Sequence, residues 1–169
     1  MIYGIIISII SFLLDAFLSS YIPISITNNN ILVPMFTLVS LIIILPYFNN
    51  NDSNYLKVCL IFGLLYDITF TNTLGLNMAL FIVIGIVVIF INNGLSNSLI
   101  SLLVKLIVSI ILYNLLQYLI LIILNYMDNG ILSLVFKILK SLLLNVIYLI
   151  VLYFTTNIIA KKLHIKKSV

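Results

Sequence analysis

The sequence contains no arginine, no glutamate and no tryptophan, and it holds a single cysteine and a single histidine. Each scarcity closes off a class of function. With Cys59 alone, neither an intrachain disulfide nor a cysteine metal site can form, and its place in an apolar run suits a small packing residue. His164 sits in a lysine-rich tail, where a solvated side chain is the expectation rather than a ligand. No His, Cys, Asp or Glu cluster has metal-ligand spacing, no base stands within motif distance of a nucleophile, and no glycine-rich phosphate loop occurs. Intramembrane hydrolases and phosphotransferases gather several acidic or basic groups at one depth, and a few scattered aspartates are a poor match. The chain reads as neither an enzyme nor a cofactor carrier.

Charge of either sign is sparse. Charged residues make up 7% of the 169 and hydrophobic residues 64%, with mean hydropathy +1.35. Soluble domains carry roughly 25% charged residues, so this composition belongs in a membrane. The expected fold class is all-α: a polytopic integral membrane bundle of about six transmembrane helices at about 20 residues per span. That count leaves no length for a folded extramembrane domain. The net charge of +4 does not point to nucleic acid, because Lys161, Lys162, Lys166 and Lys167 crowd the last residues. Beside a hydrophobic segment such a cluster is a topology anchor and a contact for the anionic lipid bilayer.

The apolar runs place spans at 2–21, 31–48, 55–70, 74–91, 99–125 and 132–160, one domain over 1–160, followed by a basic cytoplasmic tail at 161–169. The first run lacks the charged start of a secretory signal, since no lysine precedes Lys57, and is expected to be a retained helix. Asn28 to Asn30 and Asn49 to Asn54 read as loops, and Pro34 and Pro46 bracket the second span. Thr71 to Thr73 reads as a tight turn, and Gly130 to Lys140, with Lys137 and Lys140, reads as either an interfacial turn or, by preference, the outer end of a long last helix. With both termini cytoplasmic, Lys57, a snorkelling Lys105 and the four tail lysines lie inside, and only Lys137 and Lys140 outside. The positive-inside rule supports that orientation in a bacterial cytoplasmic membrane.

Small and polar residues recur on single helix faces at steps of three or four, and in the fourth span at steps of eight. They are Gly4, Ser8, Ser11 and Asp15; Tyr55, Cys59, Gly63 and Asp67; Asn77, Gly85 and Asn93; Ser101, Lys105, Ser109, Tyr113 and Gln117; and Lys137, Ser141 and Asn145. Such stripes read as helix–helix seams, because in lipid close approach and interhelical hydrogen bonds replace the hydrophobic drive. Asp15, Asp67 and Asp128 fall toward the outer half, where an Asp–Lys or Asp–amide contact is expected. A carboxylate at membrane depth costs about 2.5–3.5 kcal/mol on insertion scales and therefore has a partner or a function. An asparagine at position 67 is expected to keep the bond and be mild.

The segment Gly63-Leu64-Leu65-Tyr66-Asp67, followed by Leu74-Gly75-Leu76-Asn77 at the junction of the third and fourth spans, resembles the rod shape-determining protein MreD family. The likeness extends over the whole chain in length and hydropathy. It implies a non-catalytic membrane subunit of the bacterial elongation machinery that organises peptidoglycan synthesis and rod shape. The implied partner is MreC, a single-pass protein, with indirect links to MreB, RodA and a penicillin-binding transpeptidase. Gly63, Tyr66, Asp67, Leu74, Gly75, Asn77 and Asp15 are the residues expected to form a partner-binding or structural polar motif. The family is also similar in fold to the substrate-binding S components of energy-coupling-factor transporters. A vitamin-binding S component is therefore the alternative.

Overall fold

A computed structural model describes residues 2–21, 34–48, 51–71, 75–95, 98–123 and 131–162. Among them the chain is helical throughout: α1 (Ile2–Tyr21), α2 (Phe36–Ile44), α3 (Asp52–Tyr66), α4 (Leu76–Gly94), α5 (Leu99–Ile123) and α6 (Ile131–Lys162). The bundle is all-α, and α1, α4, α5 and α6 are long and apolar enough to cross a membrane. Their outward faces carry isoleucine, leucine, valine and phenylalanine, as a lipid-facing surface requires.

α2 departs from the expected full span over 31–48. Its α-helix starts only at Phe36, and at Leu45–Phe48 it tightens into a 3-10 turn containing Pro46, which has no N–H to donate. Every residue of this short element is buried, because α1, α4, α5 and α6 all pack against it. A helix that touches no lipid does not have to match the bilayer thickness. α2 is the core of the bundle, not one of its walls.

α3 begins three residues earlier than the loop reading of Asn49 to Asn54 allows. The Asn51 side chain accepts the Asn54 N–H at 3.3 Å and so caps the helix. At its other end the helix widens into a π turn over Asp67–Thr71. The expected turn at Thr71 to Thr73 lies mostly outside the described residues, as do Leu74, Asp128, His164 and the loop asparagines 28–30. α6 runs unbroken through Lys137 and Lys140.

The polar stripes face inward. Ser8, Ser11, Asp15, Asp67, Asn77, Ser101, Lys105, Ser109, Gln117, Ser141 and Asn145 are all buried. Asn93 is an exception to the expected seam and is exposed at the end of α4. Lys105 does not snorkel out to solvent; it is 1% exposed.

Candidate functional site: two carboxylates at helix starts

The first turn of any helix has N–H groups without intrahelical acceptors, and in a bundle surrounded by lipid nothing but another protein group can take them. The expected motif answers this need at α4. Asp67 Oδ1 accepts the main-chain N–H of Asn77 at 2.9 Å and its side-chain amide at 3.0 Å. Asp67 Oδ2 accepts the main-chain N–H groups of Gly75 at 2.9 Å and Met78 at 3.1 Å. The carboxylate thus caps α4 from the end of α3, its charge aligned with the positive end of the helix dipole. This is the expected Asp–amide contact.

The other residues of the motif make that cap possible. Gly63 stands one helical turn before Asp67, and a Cβ there would lie 2.7 Å from Asn77 O and 2.7 Å from Met78 Cα. Only glycine lets the α3 backbone approach the first turn of α4 this closely. Gly75 has φ +100°, the left-handed region that glycine enters without steric cost, and it turns its N–H onto the carboxylate. Asn77 passes the network onward, because the Tyr113 hydroxyl of α5 donates to its Oδ1 at 2.6 Å. Tyr66 is buried, packs its ring on Phe70 and Phe81, and points its hydroxyl at Pro34 O at 3.5 Å. The motif ties α3, α4 and α5 together and reaches the entry of α2. Leu74 lies outside the described residues.

Asp15 does the same for α2. Its Oδ1 accepts the Phe36 N–H at 2.9 Å, and its Oδ2 accepts the Thr37 N–H at 2.8 Å and the Thr37 hydroxyl at 2.7 Å. One residue earlier, the Met35 N–H donates to Asn145 Oδ1 of α6 at 2.9 Å. Ser11 and Tyr148 share a hydrogen bond of 2.8 Å between α1 and α6, and the Tyr148 ring stacks on Phe36 at 4.0 Å. Sequence reading placed Asp15 on a seam and did not find its partner. The donors are main-chain groups 21 and 22 residues further on, and no side-chain pattern announces them. Asn145 escaped for the same reason.

Asp15 and Asp67 are 0% and 1% exposed. Their bonds are spent on the interior of the bundle. No group of His, Cys, Asp or Glu among the described residues is arranged to hold a metal ion.

No curated protein and no solved structure matches the chain. The family model described as rod shape-determining protein MreD does match, over residues 1–163. The matched range contains both carboxylate clamps and all six helices, and so the chain belongs to the MreD family of rod shape-determining membrane proteins.

Proposed function

We propose that this protein is a non-catalytic subunit of the cell-elongation machinery that binds a single-pass membrane protein of the MreC type. On this reading it stands in the cytoplasmic membrane with both termini inside and links indirectly to MreB, RodA and a penicillin-binding transpeptidase. The observation that carries the reading is the family match over 1–163 on a chain whose described residues are helices with short flanks, four of the helices long and apolar enough to cross a membrane. The interior polar groups support a scaffold. A solute pocket would use Asp15, Asp67, Asn77, Tyr113 and Asn145, yet these are bonded to helix starts and to one another. That arrangement counts against the vitamin-binding alternative.

A partner helix then has to pack on an outer face. α1 offers one: Ile2, Ile6, Ile9, Leu13 and Phe17 are exposed in steps of three and four, the spacing of a helix–helix seam. Depletion in a rod-shaped host should round the cells. Cysteines placed at Ile9 or Leu13 in a Cys59→Ala background should cross-link to the single transmembrane helix of the MreC-type partner. Normal shape after complete loss, with no co-purifying single-pass partner, would overturn the proposal.

A further inference from the structure

The bundle end away from the two carboxylates holds a second set of interior polar groups. Lys105 lies in the second turn of α5, and its ammonium donates to Asn92 Oδ1 of α4 at 2.7 Å. An ammonium has three protons to place. The amide oxygen takes one, and no carboxylate of the described residues is within ion-pair distance of Lys105. Ser101 sits one turn nearer the start of α5 on the same face, is 4% exposed, and its hydroxyl has no partner. Asn92 is half-buried near the end of α4, and its NH2 group makes no hydrogen bond among the described residues. Ser109, one turn deeper than Lys105, is also buried with an unpartnered hydroxyl.

A buried ammonium with a single neutral acceptor is costly, because burial removes the water that would otherwise satisfy it. Ser101, Asn92 and Lys105 all have protons to give, and the start of α5 adds the positive end of a 25-residue helix. The ligand they suit is an anion with several oxygens. Depth narrows the choice. Asn92 is two residues from the end of α4, about 3 Å by helical rise, so the ammonium sits near the level of the lipid headgroups. Beside it on α5, Ile100 and Val104 are exposed apolar side chains that suit acyl chains rather than water.

We infer that Lys105, Asn92 and Ser101 form a binding site for the phosphate of an anionic phospholipid, with its acyl chains along Ile100 and Val104. The test uses the full chain in mild detergent, offered equal amounts of phosphatidylglycerol and phosphatidylcholine and read by native mass spectrometry. The wild type should retain phosphatidylglycerol about tenfold better, the scale of a charge-assisted hydrogen bond. Lys105→Met should bring the two lipids to parity, Ser101→Ala should lower the preference partway, and Lys57→Met, at an exposed lysine of α3, should leave it intact. An undiminished preference in Lys105→Met overturns the inference. Should that variant fail to fold, an undiminished preference in Ser101→Ala does so instead. Displacement of the lipid by inorganic phosphate overturns it in favour of a free anion. Equal retention of both lipids, with an acidic peptide binding through Lys105, overturns it in favour of a protein carboxylate.

Discussion

At the α1–α2 junction Asp15 accepts two main-chain N–H groups and one hydroxyl, whereas at the α3–α4 junction Asp67 accepts three main-chain N–H groups, a side-chain amide and, at 3.4 Å, the Thr71 hydroxyl. The packing beneath the two carboxylates differs in kind as well. A Cβ on Gly63 would strike the backbone of α4, while a Cβ on Gly4 would meet the side chain of Ile44 at 3.2 Å. The α3–α4 pair is thus locked backbone to backbone, whereas α1 and α2 meet through side chains. Both junctions meet the same demand, main-chain donors at a buried helix start, but they differ in tolerance. Helix pairs in lipid are stabilised by close approach and hydrogen bonds, so the pair with more of both should be the less forgiving.

The sharpest way to break the comparison is to remove each carboxylate. Asp67→Leu orphans three main-chain donors at about 1–3 kcal/mol per buried group and leaves the Asn77 amide with Thr71 Oγ1 alone, so a loss above about 4 kcal/mol is expected. Asp15→Leu should cost less, because two main-chain donors and a rotatable hydroxyl are affected. Membrane abundance and thermal unfolding in detergent measure both, and equal losses would erase the distinction. Asp67→Asn tests the geometry more finely. Each Asp67 oxygen takes N–H groups, so an amide NH2 must face donors on one side; the mild outcome expected from sequence gives way to an intermediate loss of about 2 kcal/mol.

Next in size is the packing contrast. Gly63→Ala forces apart two backbones and should cost about 3 kcal/mol, whereas Gly4→Ala displaces a side chain and should cost about 1 kcal/mol. The ranking of the two unfolding midpoints decides the matter, and a more harmful Gly4→Ala would contradict the backbone lock. The smallest expected effects come from the tyrosines that tie each junction to a neighbouring helix. Tyr113→Phe leaves Asn77 Oδ1 without its donor, and Tyr148→Phe removes the bond to Ser11; each should cost about 1 kcal/mol or less. If Tyr113→Phe proved as harmful as Asp67→Leu, the hydroxyl and not the carboxylate would be the keystone of the α3–α4 junction.

The Asp67 junction was legible because its donors, its glycines and its carboxylate fall within one short stretch, from Gly63 to Met78. The spacing of Gly63 and Asp67 already implied one shared face and a close neighbour. Asp15 was visible as an acidic residue at membrane depth, but its role depends on backbone donors of Phe36 and Thr37, and backbone groups leave no mark in a sequence. For this reason the recurrence of one capping device at two junctions leaves no trace in the sequence. α2 misled because hydropathy counts apolar residues without distinguishing those that face lipid from those that face protein. Lys105 was read as snorkelling since a lysine near a helix end has that option; the nearby Asn92, on another helix, took its ammonium instead.

The shortness of α2 has a consequence for how the protein is made. Its nine α-helical residues and four-residue 3-10 turn reach roughly 20 Å, against a hydrocarbon core of about 30 Å. Released alone into the bilayer during synthesis, it would carry the bare N–H groups of Phe36 and Thr37 into hydrocarbon, at a cost of several kcal/mol. Asp15 emerges from the ribosome first, on a helix long enough to settle by itself. α1 therefore carries, earlier in the chain, the acceptor that the start of α2 requires in hydrocarbon.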